Sequence, residues 1–240
     1  MPIKRRGSLG TLAAMDPNAP SERLALQYLL PSHLAISPEG VGSLAWPAGL
    51  GPFGQMRDMT LHEQISSVMC LPGSLSPEEC AAVVEEGRSR PLMEGRVELG
   101  ADTYRVSHIA WIEPHAGNHW LFHRIGGIFM QVNQNYGFDV VGMIDALQFT
   151  EYAPGQHFDW HMDIGRGATS LRKMSLTVQL SDPGDYDGGD LEFVGLGAQP
   201  EARNQGYATV FPSYMGHRVT PVTRGVRRSL VAWVSGAPYR

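Results

Sequence analysis

The chain has 240 residues, 42% hydrophobic and 18% charged, the make-up of an ordinary globular protein holding one large domain or a domain with an extension. A net charge of -5 offers no basic footprint for nucleic acid, and no apolar run comes near the roughly 20 residues that cross a bilayer. Two cysteines, Cys70 and Cys80, are too few for a disulfide framework and suit reduced thiols in the cytoplasm.

The N-terminal MPIKRRGSLGTLAAMDP superficially resembles a secretory or twin-arginine leader, but Gly7 and Gly10 break its apolar part and Asp16-Pro17 stops it. Residues 1–65 carry scattered Pro and Gly and no sustained period. Leu24, Leu26, Tyr28, Leu29, Leu30, Trp46 and Phe53 are nevertheless too apolar for a solvated tail, which predicts an ordered, irregular extension ahead of a domain over 66–240.

Ser76-Pro77-Glu78-Glu79 reads as a capping box with Pro at the first helical position. Cys80, Val83 and Val84 then form one apolar helix face, and Gly87 is placed as its stop. Thr103 to Glu113 predicts one strand. A second helix is expected from Asn118 to about Asn135, with Leu121, Ile125, Ile128, Phe129 and Val132 at helical spacing and Gly126-Gly127 weakening the middle.

After residue 143 the texture turns to β. Short β-branched and aromatic runs cover 144–152, 174–180, 191–194, 207–211 and 229–234. Turn clusters separate them, among them Ala153-Pro154-Gly155, the Asp187-Gly188-Gly189-Asp190 corner, read as a hairpin turn, and Thr223-Arg224-Gly225. Helices first and strands later predict an α+β, mainly β, fold with N-terminal helices packed on one sheet of a sandwich or jelly roll, its core about 144–240.

Within that core, His161-Met162-Asp163 puts an imidazole and a carboxylate on one side of a strand end, because strand side chains alternate. His217 offers a third ligand downstream. Two histidines and a carboxylate on one face of an octahedral metal leave positions free for small molecules, the ligand set of non-haem Fe(II) oxygenases. Taken alone, an H-x-D pair reads equally as a surface polar pair.

The surroundings decide between these. Tyr152-x-x-Gly155-Gln156 precedes His161-x-Asp163, and RKMSLTVQLSDPGDYDGGDLEF and FPSYMGHRVTPVTRGVRRSLVAW follow in order. From about Leu71 onward the chain resembles the prolyl 4-hydroxylase-like (PKHD-type) Fe(II)/2-oxoglutarate oxygenases, whose fold is a double-stranded β-helix, a distorted jelly roll of cupin-like form. The resemblance implies His161, Asp163 and His217 as iron ligands and Arg227 as the holder of the far carboxylate of 2-oxoglutarate. A guanidinium fork suits that task. Arg218, Arg224 and Arg228 lie close by, but Arg227 shares strand parity with Ser229, Val231 and Trp233, whereas Arg228 faces the other way. Tyr152 matches a tyrosine assisting the co-substrate, with a buried, satisfied Tyr as the plain alternative. Phe158 stands where close relatives carry an aromatic hydroxyl.

The implied cofactor is Fe(II), with 2-oxoglutarate and O2 as co-substrates and ascorbate as an optional addition. The implied activity is hydroxylation of an unactivated C–H bond in a proline-like, amino-acid or peptidyl substrate, coupled to release of succinate and CO2. Asp163 favours hydroxylation over halogenation, since halogenating relatives lack this carboxylate. The alternatives are a biosynthetic small-molecule oxygenase that hydroxylates, desaturates or cyclises at the same site, and a β-sandwich binding module without activity. Partners are then a small-molecule or peptidyl substrate, with neither nucleic acid nor membrane; oligomeric state is open, a homodimer included.

Other residues invite site readings and are set aside. His115, His119 and His123 are spaced like helical metal ligands, but Pro114 and Gly117 keep His115 off the helix and no acid joins them. His157 is read as a pocket or surface residue, and Trp111, Trp120 and Trp160 as core or rim.

Overall fold

The computed structural model of the chain describes residues 35–36, 43–45, 59–60, 67–95, 97–99 and 102–239. Two compact units emerge, Met1–His62 and Glu63–Arg240. In the first, Ala35–Ile36, Ser43–Ala45 and Met59–Thr60 pair as a three-stranded antiparallel sheet, with Ala35 opposite Ala45 and Ser43 opposite Thr60. The leader-like stretch and the apolar residues at 24, 26, 28–30, 46 and 53 lie outside the described residues.

In the second unit, helix α1 (Pro77–Arg88) starts as the capping box requires. The Glu79 N–H donates to Ser76 Oγ (3.2 Å), and the Ser76 N–H donates back to the Glu79 carboxylate (2.8 Å). Gly87 does not end this helix, which runs to Arg88 and is capped by Ser89. A Cβ on Gly87 would meet the Phe149 ring at 2.3 Å, so close packing is what the glycine serves. Helix α2 (His119–Tyr136) is continuous through Gly126-Gly127 and stops at Gly137, whose φ of 66° bends the chain away while its N–H caps the Asn133 carbonyl.

The strands form two larger antiparallel sheets and one two-stranded ribbon. The larger sheet runs in the order Met69–Leu71, Ala208–Pro212, Arg172–Gln179, Arg227–Gly236, Leu147–Tyr152, His108–Ile112 and Met93–Glu94, with Val140–Gly142 at the end of the Arg227–Gly236 strand. The smaller runs Gly197–Ala198, Leu191–Phe193, His217–Val219, His157–His161, Asp102–Val106 and Val97–Leu99.

Strict alternation sorts the larger sheet into two faces. Leu147, Phe149, Met174, Leu176, Val210, Leu230 and Ala232 join the inward residues of both helices in one core, so the helices do pack on one sheet. Tyr152 and Phe211 point the other way and meet Leu191, Phe193 and Val219 of the smaller sheet in a second core.

Two local expectations need correction. The predicted strand from Thr103 to Glu113 is two strands, Asp102–Val106 and His108–Ile112, which belong to different sheets. The chain changes sheet at Ser107, which is buried there. The Asp187–Asp190 corner is not a hairpin turn. Tyr186–Gly188 pairs with Val222–Gly225, whereas Leu191–Phe193 pairs with His217–Val219, so the corner carries the chain between sheets. Thr223-Arg224-Gly225 correspondingly lies in a strand.

Candidate metal and co-substrate site

His161 closes its strand, and His217, which opens the neighbouring one, stands directly opposite it in register. Phe158 faces Val219, so three steps on one strand match two on the other: a β-bulge. The bulge turns Phe158 and His161 to the same side, where their rings stack with centroids 3.4 Å apart and planes 11° from parallel. Just past the strand end, the Asp163 N–H donates to the Ser213 carbonyl (2.9 Å), tying the carboxylate loop to the turn before His217.

These constraints gather three donors. His161 Nε2 lies 3.8 Å from Asp163 Oδ1, and His217 Nε2 lies 3.6 Å from Asp163 Oδ2. One ligand atom from each residue falls within 4.8 Å of the others, and among the described residues no other such group of His, Cys, Asp or Glu converges. His161 Nδ1 is 2.7 Å from the Asp159 carbonyl and His217 Nδ1 is 3.0 Å from that of Met215. A carbonyl can only accept, so each Nδ1 carries the proton and each Nε2 presents a lone pair to the centre.

Electrostatics agree with that arrangement. Burial pushes the His161 imidazole down to about 4, and repulsion from His217 adds to it. Burial alone would raise the Asp163 carboxyl, but the two histidines hold it below the usual carboxylate range. A neutral imidazole beside an anionic carboxylate is a ligand set and not an ion pair, so these residues fit a divalent cation such as Fe(II).

The donors open into a cavity of about 580 Å³ between the two sheets, within the size range of small-molecule sites. Arg227 and Tyr152 line the same cavity and face each other in register, the guanidinium carbon 5.7 Å from the centre of the Tyr152 ring. Arg227 is 3% exposed, and its Nη1 donates only a long contact to Ser229 Oγ (3.4 Å). The neighbouring arginines are different. Arg218, Arg224 and Arg228 pair with Glu192, Asp187 and Glu151 respectively, and Arg228 lies on the opposite sheet face, as parity requires. Among the described residues no carboxylate pairs with Arg227.

The remaining sequence candidates fall elsewhere. His115 bonds Glu86 (3.0 Å), off the helix, while His119 and His123 line a shallow surface groove with Phe122. His157 is outside the cavity lining. Trp111 lines the cavity, whereas Trp160 sits at a rim groove beneath Arg218. Sequence reasoning missed Arg105, Gln148, Thr150, Phe211 and Trp233 in the cavity wall. Gln148 and Thr150 share the strand parity of Tyr152 and were readable from it; Arg105 carried no local signal.

Residues 147–235, which include all three donors, Tyr152 and Arg227, match the 2OG-Fe(II) oxygenase superfamily. The PKHD-type hydroxylase Tgr7_2199 of Thioalkalivibrio sulfidiphilus is 28% identical over 168 residues, 67% of this chain and 74% of its own. The PKHD-type hydroxylase YbiX of Escherichia coli is 28% identical over 173 residues, 68% of this chain and 76% of its own. In fold, the chain is similar to a Pseudomonas putida prolyl-4-hydroxylase, with a TM-score of 0.56 and 24% identity over 72% of this chain and 94% of that one. A viral collagen prolyl hydroxylase from Paramecium bursaria Chlorella virus-1 gives 0.55 and 20% over 71% and 96%. Together with the three donors, the match and these relatives support a prolyl hydroxylase-like 2OG-Fe(II) oxygenase, with Fe(II) as cofactor and 2-oxoglutarate and O2 as co-substrates.

Proposed function

We propose that the enzyme hydroxylates an unactivated C–H bond of a proline-like, amino-acid or peptidyl substrate and releases succinate and CO2, with His161, Asp163 and His217 holding the iron. The observation that carries this reading is Arg227, a buried guanidinium without a carboxylate partner among the described residues, in the same cavity as the three donors. A buried charge is costly unless paired, so the site is completed by an anion that enters it. One carboxylate of 2-oxoglutarate answers that need while the other end reaches the metal.

When bound, iron supplies the activation of O2 that a C–H bond of this strength requires. The chain's own groups do the rest. Asp163 offsets part of the cation's charge, the two Nδ1–H···O=C bonds fix the imidazoles, and Tyr152 orients the co-substrate beside Arg227. Cavity walls of Phe158, Phe211 and Trp233 limit water near the reacting atoms. In this reading the facing sheets are a double-stranded β-helix, residues 66–240 are the dioxygenase domain and 1–65 an extension. Free Cys70 and Cys80 support a cytoplasmic setting.

Asp163→Ala and His217→Ala test the reading. Each should abolish succinate formation from 2-oxoglutarate, and wild-type succinate yield in either variant rules the assignment out.

A further inference from the structure

Among the described residues a second guanidinium in the cavity also lacks an acid. Arg105 Nε donates to Ser107 Oγ (2.9 Å) and Nη2 to Gln148 Oε1 (3.0 Å), both neutral, and its guanidinium carbon lies 4.7 Å from the centre of the Phe158 ring. No contact occupies Nη1 among the described residues. Arg172, the other arginine in the lining, is by contrast satisfied by Asp145 (3.0 Å). Arg105 is thus held in place from two sides, half-buried, with N–H groups to spare for a ligand.

Position separates it from the co-substrate. Gln148, Thr150 and Tyr152 alternate along one strand and all face the cavity. Arg105 is tied to Gln148 at one end of that row, and Arg227 lies opposite Tyr152 at the other. Gln148 and Tyr152, the two residues they meet, are four steps or about 13 Å apart along the strand. A five-carbon diacid extends only roughly 6 Å with ordinary bond lengths, and one held at Arg227 lies at the Tyr152 end of the row, whereas Arg105 is held at the Gln148 end against Phe158. A single guanidinium against an aromatic ring suits a monoanion, because a phosphate dianion needs more donors than this wall provides.

We propose that Arg105 receives a carboxylate of the organic substrate, so that the enzyme acts on a free amino acid or a chain-terminal residue and not on a residue inside a peptide. The proposal rests on the Fe(II)/2-oxoglutarate reading, since that reading assigns the first anion to Arg227.

Calorimetric titration of the anaerobic Fe(II)–2-oxoglutarate protein tests it. The titrants are free L-amino acids, their carboxamides, and a proline-ended tripeptide in free-acid and amidated forms. At least one acid should bind roughly ten- to a hundredfold more tightly than its amide, and Arg105→Gln should erase that preference. Arg105→Lys should keep part of it. Binding by free amino acids alone identifies a small substrate; binding by the free-acid tripeptide identifies a chain terminus.

A preceding titration with 2-oxoglutarate separates the two readings. If the wild-type protein does not bind it, both fall. If it binds but acids and amides behave alike, or no acid binds, or the preference survives Arg105→Gln, the Arg105 proposal alone is overturned. Loss of 2-oxoglutarate binding in a folded Arg105→Gln protein also overturns it, by giving Arg105 to the co-substrate.

Discussion

A Cβ added to Gly189 would lie 2.9 Å from Cδ of Arg227, so the stem of the buried guanidinium rests in the space this glycine leaves. Val222 Cγ2 is equally close and Tyr186 closes the side, which leaves Arg227 little freedom to step back. Gly189 also has φ +62°, a region that side chains with a Cβ rarely occupy. The corner between sheets therefore does two things, turning the chain and seating the Arg227 side chain. Gly189→Ala should cost about 1–3 kcal/mol of stability through strain. It should also weaken 2-oxoglutarate roughly tenfold by displacing Arg227. Fe(II) affinity should hold, because the three donors sit on other segments; separate anaerobic titrations check both, and an equal loss of the two would contradict this role.

Phe158 bears on the metal in a different way. Its ring stacks on His161 and meets Tyr104 edge-on at 5.9 Å, so it walls the imidazole into one orientation. Phe158→Ala should release that ring and lower Fe(II) affinity roughly tenfold, the usual scale for losing support behind a ligand. Phe158→Tyr keeps the stack and should keep the affinity. Metal titration of the three proteins, with 2-oxoglutarate absent, reads the effect directly.

The parts of this site legible in the sequence are those that local geometry determines. An H-x-D pair at a strand end points to a ligand pair by alternation, although Asp163 lies just past the strand and is held by the Ser213 carbonyl, and parity separates Arg227 from Arg228 without knowledge of any partner strand. The capping box at Ser76 and the apolar face of α2 are equally local. What escaped depends on which strands pair. Ser107 joins strands of two sheets, the Asp187–Asp190 corner links two sheets, and the bulge at Phe158 exists only against Val219 and His217. Arg105 belongs with these, because its meaning comes from Gln148, forty-three positions away.

Gly87 illustrates the same point and can be tested. Sequence logic placed it as a helix stop, yet the helix passes through it and the Phe149 ring occupies the Cβ position. Gly87→Ala would improve helix propensity by roughly 1 kcal/mol in isolation. Overpacking against a fully buried ring should outweigh this, for a net loss of about 1–2 kcal/mol. Chemical denaturation should show a lower midpoint with unchanged slope. A rise in the midpoint would mean that Phe149 moves aside freely.

Arg227 and Arg228 are adjacent and should fail in opposite ways. The Arg228 Nε donates to Glu151 Oε1 (2.6 Å), which Arg88 also reaches (3.0 Å), on the face away from the cavity. Glu151 is nearly buried and Arg88 is half-exposed, so Arg228 is its sheltered partner. Arg228→Ala leaves that carboxylate short of a donor and should cost about 1–3 kcal/mol of stability. It should leave the 2-oxoglutarate affinity of the folded protein unaltered. Arg227→Ala removes a charge without a carboxylate partner among the described residues, so stability should hold or rise while 2-oxoglutarate binding is lost. Measuring denaturation and co-substrate binding on both variants crosses the two effects. A common outcome for the pair, in either measurement, would contradict the division of the strand into a ligand face and a structural face.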